Sequence, residues 1–146
     1  MITKKSTKKK PTSPYKAAKK LAWQWFSRYI RARDCLKTTG TPERGRCYTC
    51  DTERSFGVLQ AGHYIDGRNN AVLFSEIGVH AQCGQCNVYK YGNKVEYRRR
   101  MIRDYGTAKV EQLEAERCRE VKFTTAQLLE KADHYRRMYG ELTGGE

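Results

Sequence analysis

The chain has 146 residues and a formal net charge of +13, from 29 Lys and Arg against 16 Asp and Glu. That length predicts one domain with tails and a modest core. The positive charge indicates a polyanionic partner, most often nucleic acid. No apolar run approaches the roughly 18 residues of a membrane span, and the N-terminus lacks the apolar core of a signal peptide. We therefore expect a protein of a reducing cytosol with no membrane partner.

The N-terminus predicts a disordered basic arm over residues 1–14. The first twenty residues hold eight lysines and no acidic residue, and the arm ends in Pro11 and Pro14. Such composition does not support a packed core. A flexible lysine arm nevertheless adds phosphate contacts without needing a fold.

Residues 15–40 predict an N-terminal helix, because apolar residues recur at spacings of four from Tyr15 to about Leu36. We favour packing in the core over a base-stacking platform for its aromatic residues. The apolar residues form two neighbouring stripes: Leu21, Trp25 and Tyr29, and Ala22, Phe26 and Ile30.

Residues 41–105 predict a small cysteine-bearing module, and residues 106–146 predict C-terminal helices with a short tail. Strand-like pieces lie at Gly57–Ile65 and Val79–Gln82. A helix should begin at the second cysteine pair, break near Gly92 and end at Gly106. Further helices should run from Thr107 to about Arg119 and, after a capping box of Thr124 and Gln127, to about Tyr139. The predicted class is α+β.

Two C-x-x-C pairs, Cys47–Cys50 and Cys83–Cys86, are separated by 32 residues. Each pair in a tight turn presents two thiolates to one ion, and four thiolates make a closed structural zinc site. Disulfides are not expected in a reducing cytosol. Cys35 and Cys118 have no close partner in sequence, so we predict that both are buried small hydrophobic residues.

A zinc ion closed by four cysteines cannot activate water, so any chemistry needs another base or metal. His63 lies inside the segment that the zinc would clamp, and Asn87 directly follows Cys86. The clamp should bring the two together. One residue could then serve as general base, and the other as an oxygen ligand for Mg²⁺.

These motifs resemble a known fold. A C-x-x-C pair, a Gly-His or Asp-His at a strand end, a second C-x-x-C pair followed by Asn or His, and then a basic helix are similar to the zinc-clamped HNH (ββα-metal) endonucleases. A closer resemblance is to the NinG (Rap) recombination endonucleases of lambdoid phages, over roughly Trp23 to Leu129. It is carried by WQWFSRYIRARD, CYTC, LQAGHY, VLFSEIGVHAQCGQCNVYKYGN, Tyr97 and Tyr105-Gly106.

The resemblance implies a structure-specific endonuclease that cuts Holliday junctions and D-loops with Mg²⁺ or Mn²⁺. His63 then matches the histidine that activates water, Asn87 matches a metal-binding residue, and the four cysteines match the structural zinc. Cleavage of a four-way junction takes two symmetric cuts, which predicts a homodimer built on the C-terminal helices or the first helix. A phage-encoded protein of this kind is expected in the cytoplasm of the bacterial host.

Two positions depart from the HNH pattern. Gly62 stands where many relatives place a metal-binding Asp, and Gly78 stands where an Asn should orient the histidine. His80 is our first candidate to fill one gap, although a scaffold role is equally compatible with a lone histidine near zinc. Asp66 is the second candidate, and Glu76 is a weaker third.

A basic, tyrosine-rich segment follows Asn87 and predicts phosphate contacts that position DNA without reading its sequence. A solvated helical face is the alternative. Arg68, after the histidine strand, is a candidate phosphate clamp. The other predicted DNA-binding residues are Lys90, Lys94, Arg98, Arg99 and Arg100.

Three alternatives to a junction-cutting enzyme concern the same residues. An HNH nicking or restriction-type enzyme on duplex DNA would use the same site. A non-catalytic zinc module would need only the cysteines and the charge, and Gly62 favours it. A zinc nucleobase deaminase is excluded because His63-Tyr64-Ile65 lacks the Glu that its His-x-Glu signature requires.

Overall fold

The computed structural model describes residues 9–67 and 69–145. Most of the predicted arm, and Arg68, therefore lie outside the described residues. The elements in chain order are α1 (Pro14–Thr39), β1 (Arg44–Arg46), β2 (Glu53–Ser55), β3 (Gln60–His63), α2 (Asn70–Leu73), β4 (Val79–Gln82), a π-helical turn (Gln85–Tyr89), α3 (Lys94–Tyr105), α4 (Thr107–Glu116) and α5 (Thr125–Thr143). The α+β class is confirmed.

Helix α1 is capped at its N-terminus by Ser13 and at its C-terminus by Gly40. The Ser13 side chain accepts a hydrogen bond from the backbone N–H of Lys16, and Gly40 ends the helix in the left-handed region at φ +79°. The helix packs along α5 and against β4. Ala22 and Phe26 are fully buried, whereas Leu21 is 40% exposed. The stripe through Ala22 therefore faces the core, and the aromatic side chains of Phe26 and Tyr29 are buried, as predicted.

Four short strands form two antiparallel pairs. Strand β3 pairs with β4 in the register Gln60↔Gln82 and His63↔Val79, where the sequence predicted strands. Strand β1 pairs with β2, from Arg44↔Ser55 to Arg46↔Glu53, and this hairpin was not predicted. All four residues of β4 are buried, so the strand runs through the interior.

The chain reverses direction between the π-helical turn and α3, near the predicted break. Tyr91, Gly92 and Asn93 have φ values of 51°, 88° and 49°. The C-terminal helices follow, and α5 begins with the predicted capping box, in which both reciprocal hydrogen bonds between Thr124 and Gln127 are present. Helix α4 ends before the predicted Arg119 and α5 continues past Tyr139.

Two apolar clusters lie on either side of the β3–β4 pair. One joins α1 to α5 through Phe26, Ile30 and Tyr135. The other surrounds Tyr97 and Met101 of α3. None of the helices in the described residues is long and apolar enough to cross a membrane.

The two isolated cysteines behave differently. Cys35 is buried, as predicted, and Cys118 is exposed. The prediction of burial is therefore wrong for Cys118, which lies just after the end of α4, where no core covers it.

Candidate metal centre and active site

The four paired cysteines converge on one point. Their Sγ atoms all lie within 4.8 Å of one another, and Cys50 Sγ is 3.8 Å from Cys83 Sγ. Tetrahedral zinc with Zn–S bonds of about 2.3 Å would place its sulfurs roughly 3.8 Å apart. The cluster can therefore hold a zinc ion with no open coordination position. The full set is Cys47, Cys50, Cys83 and Cys86.

The pKa values of Cys50 and Cys83 are shifted in opposite directions. Burial raises the pKa of Cys83 to about 12. At Cys50 burial also raises the pKa, but hydrogen bonds from Thr52 outweigh it and lower the pKa to about 7. Cys50 thus gives the cluster a ready thiolate, and binding of a divalent cation would displace the remaining protons.

His63 closes β3, and its ring is held on two sides. The ring stacks on Trp23 with centroids 5.0 Å apart, and Nε2 lies 3.0 Å from the carbonyl oxygen of Leu73. A carbonyl oxygen only accepts hydrogen bonds, so Nε2 carries the proton. The neutral imidazole then has its lone pair on Nδ1, the tautomer a general base requires.

His63 lines an open cavity of about 520 Å³. Asn87, Asp66 and Lys94 line the same cavity. The segment between the two cysteine pairs therefore folds back and brings the histidine, the amide and one candidate carboxylate to one pocket.

Lys94 ties down the turn that follows the histidine strand. Its ammonium donates to the carbonyl oxygens of His63 at 2.5 Å and Tyr64 at 2.7 Å. It also lies 3.0 Å from Asp66 Oδ1, although the Asp66 side chain is 85% exposed. Lys94 thus positions the backbone beside His63. Asp66 reaches the pocket as part of a solvent-exposed ion pair with Lys94, and such a pair contributes little to stability.

His80 lies outside this pocket. It is 2% exposed, and its ring stacks on Tyr48 with centroids 3.8 Å apart. Nδ1 is 3.1 Å from the Tyr97 hydroxyl and Nε2 is 2.8 Å from the Tyr105 hydroxyl. Burial lowers the pKa of His80 to about 4, so the ring is neutral near pH 7. This geometry favours the scaffold role over a ligand role. Glu76 is exposed and also lies outside the pocket.

His80 is connected through Tyr97 to β3, the strand that carries His63. The fully buried Tyr97 hydroxyl donates to the Gly62 carbonyl oxygen at 2.7 Å, so it accepts from His80 Nδ1. We expect Tyr97→Phe to lower the free energy of unfolding by about 1–3 kcal/mol, because it leaves the buried His80 Nδ1 without its acceptor and removes a hydrogen bond to the Gly62 carbonyl oxygen.

Urea unfolding measures this cost, with Tyr89→Phe as the matched control, since Tyr89 is 74% exposed. Equal stability of the two variants would contradict a role for the Tyr97 hydroxyl.

The space beside Gly62 is filled from the neighbouring strand. A Cβ at Gly62 would lie 1.9 Å from Gln82 Oε1 and 2.9 Å from Asn87 Oδ1. Gln82 is fully buried, and its Oε1 has no hydrogen-bond partner among the described residues. An unpartnered buried amide oxygen next to a second amide oxygen fits a hard cation such as Mg²⁺, which prefers oxygen ligands.

The predicted DNA-binding residues separate into two groups. Lys90 and Arg99 are exposed, and Arg99 makes a surface ion pair with Glu96. Arg98 binds both oxygens of the Glu114 carboxylate at 3.0–3.3 Å. Like Lys94, Arg98 is therefore occupied within the chain, as is Arg100, which bonds to Asp51 and Glu96. Sequence reasoning did not assign Gln82, Trp23 or the Leu73 carbonyl to the site.

The family model for "Bacteriophage Lambda NinG protein" matches residues 2–144. The chain belongs to the NinG family. The NinG protein of Salmonella phage P22 is 33% identical over 105 residues, which are 69% of this chain and 51% of that protein. The NinG protein of Escherichia phage 933W is 32% identical over 117 residues, or 71% and 58%.

The NinG protein of Escherichia phage lambda is 33% identical over 101 residues, or 66% of this chain and 49% of that protein. The chain thus spans about half the length of the curated NinG relatives that it matches. No solved structure gives a significant match. The resemblance of the sequence to the NinG family is confirmed.

Proposed function

We propose that the chain is a structure-specific DNA endonuclease that hydrolyses phosphodiester bonds in branched recombination intermediates such as Holliday junctions and D-loops. The observation that supports this most is the fixed His63 tautomer. Its Nε2 is bonded to a backbone carbonyl and its ring lines one pocket with Asn87. Membership of the NinG family and the cluster of four cysteines are consistent with an HNH site.

In this proposal His63 is the general base. Nδ1 takes a proton from a water molecule, whose oxygen attacks the phosphorus in line with the leaving 3′-oxygen. The Trp23 stack and the Leu73 carbonyl hold the imidazole in orientation during that transfer. Bound Mg²⁺ or Mn²⁺, held by Asn87, would stabilise negative charge on the phosphate and the leaving oxygen.

The charge of the chain supports DNA as the partner. Its net charge of +13 favours a polyanion. Beside the pocket, Lys90 is exposed, and Tyr89 and Tyr91 are 74% and 86% exposed. Exposed aromatic rings next to basic residues are typical of surfaces that bind single-stranded or distorted nucleic acid, which fits a branched substrate better than an ordinary duplex.

Two cuts across a junction need two active sites, so we propose a twofold homodimer acting in the host cytoplasm. The first helix is a poor candidate for the interface because its apolar face already packs against α5. A non-catalytic zinc module remains the second candidate, favoured by the absence of a carboxylate at Gly62.

One cleavage experiment tests the proposal. The purified chain is incubated with a four-way junction and with a linear duplex of the same sequence, in Mg²⁺, in Mn²⁺ and in EDTA. We expect cation-dependent cuts near the branch point and much slower cutting of the duplex. Absence of cutting in all conditions would leave the non-catalytic module. Equal cutting of both substrates would indicate a duplex-nicking enzyme.

A further inference from the structure

We propose that Gln82 is the second protein ligand of the divalent cation, with its Oε1 atom beside Asn87 Oδ1. The assignment rests on the proposed function, because the cation is the one that the nuclease reaction needs. It gives Gly62 a positive role. Because Gly62 has no Cβ, it leaves room for the side chain of Gln82.

The orientation of the Gln82 amide is set by its nitrogen. Nε2 donates to the Gly92 carbonyl oxygen at 2.9 Å and to Thr49 Oγ1 at 3.1 Å. The Gly92 oxygen only accepts, so the amide cannot be flipped without placing two acceptors together. Oε1 therefore points the opposite way, towards Gly62, and stays buried without a hydrogen bond among the described residues.

An unpartnered buried carbonyl oxygen costs about 1–3 kcal/mol. In Gln82 the amide nitrogen makes two hydrogen bonds, whereas the oxygen of the same amide makes none among the described residues. A ligand that binds this oxygen would offset the cost of its burial. A hydrogen-bond donor or a cation can satisfy such an oxygen, and the second amide oxygen at the same point, Asn87 Oδ1, favours a cation.

The Asn87 amide is oriented in the same way as that of Gln82, with its nitrogen hydrogen-bonded and its oxygen towards Gly62. Its Nδ2 donates to Gln60 Oε1 at 2.7 Å, which turns Oδ1 towards Gly62. Asn87 also lines the pocket of His63. The two amide nitrogens are thus anchored in the protein, and the two amide oxygens face a common point.

The spacing of these oxygens suits one small cation. Both lie within 2.9 Å of the position that a Gly62 Cβ would take, so they are less than 5 Å apart. Neighbouring ligands of octahedral Mg²⁺, at bond lengths of about 2.0–2.1 Å, are about 2.9 Å apart, and opposite ligands are about 4.1 Å apart. A cation between the two oxygens would therefore be within reach of both.

The chemistry of the pair defines its use. Both ligands are neutral, so binding to the chain alone is weak and the remaining positions are left for water and substrate phosphate. A glycine is required at position 62, since any Cβ there overlaps Gln82 Oε1. His80 and Asp66, the candidates that sequence favoured, are held by Tyr97 and Tyr105 and by Lys94 respectively.

Paramagnetic broadening by Mn²⁺ tests the assignment without DNA cleavage. Substoichiometric Mn²⁺ is added to the ¹⁵N-labelled, zinc-loaded chain, and the side-chain amide signals of Asn and Gln are followed. We expect the signals of Gln82 and Asn87 to disappear first. Gln82→Ala should weaken Mn²⁺ binding roughly tenfold or more. Gln85→Ala is the matched control, because Gln85 is exposed three residues further on.

The wild-type chain alone can overturn the proposal. Broadening centred on Asp66 or elsewhere, with Gln82 unaffected, would show that Gln82 is not a ligand even if Gln82→Ala fails to fold. His63→Ala should keep the broadening pattern. Mn²⁺ bound at this pair without any DNA cleavage would reject the nuclease and keep the cation site, and cleavage with Mn²⁺ bound elsewhere would do the reverse.

Discussion

His63→Ala should reduce cation-dependent cleavage of a four-way junction by about 10²–10⁴-fold, the usual contribution of a general base. The reason is the fixed tautomer. Nε2 is committed to the Leu73 carbonyl, so Nδ1 is the atom that takes the proton from water. Single-turnover cleavage at saturating enzyme measures the chemical step apart from binding.

The same variant should keep its fold and its affinity for DNA. His63 lies at the end of a strand and is only part-buried, and its ring stacks on Trp23. Loss of that stack and one hydrogen bond costs about 1–2 kcal/mol. A thermal melt and an electrophoretic shift assay with EDTA present report on these two properties.

His134→Ala is the matched control for the substitution. His134 is an exposed histidine on α5 whose ring contact is to Tyr135, so its removal should leave cleavage unchanged. If His63→Ala and His134→Ala cut the junction equally fast, the general-base assignment is wrong. A fall in DNA binding that matches the fall in cleavage would make His63 a binding residue.

The features that sequence predicted are those with local signals. Two C-x-x-C pairs predict a group of four thiols that can hold one metal ion, and Thr124 with Gln127 predicts a helix start. Strands β3 and β4 carry enough apolar residues to be recognised. Each of these signals comes from residues that are close together in the sequence.

The features that sequence missed depend on distant contacts or on the backbone. The three-residue strands RGR and ERS have no apolar alternation, because most of their side chains face solvent. The partner of His63 is a main-chain oxygen of Leu73, and no side-chain pattern marks it. The role of Gln82 could not be predicted from the sequence, because it depends on the fold, in which its amide and that of Asn87 face Gly62.

The role of His80 also depends on distant contacts. Sequence placed it on a strand close to zinc and left ligand and scaffold roles open. The choice is made by Tyr97 and Tyr105, which come from α3 and bond to both ring nitrogens. Such hydroxyl partners cannot be assigned before the helix is docked on the strand.

Cys83→Ser should abolish zinc binding and the cooperative folding of the segment between the two cysteine pairs. Structural zinc contributes apparent binding free energies of about 10–16 kcal/mol, against a total stability of about 5–15 kcal/mol for an ordinary domain. The short strands of this module cannot replace that contribution. Plasma mass spectrometry should find one zinc per wild-type chain and much less in the variant, and circular dichroism should show a lost or strongly lowered melting transition.

Cys118→Ser is the matched control, because it removes one thiol from an exposed position outside the cluster. It should keep both the zinc and the melting curve of the wild-type chain. A Cys83→Ser variant with near-native melting would contradict structural zinc. The candidate zinc ligands Cys83 and Cys86 directly follow Gln82 and directly precede Asn87, respectively, so loss of zinc should also displace both amide oxygens. Junction cleavage and localised Mn²⁺ broadening should therefore disappear together in Cys83→Ser, whereas His63→Ala loses cleavage alone.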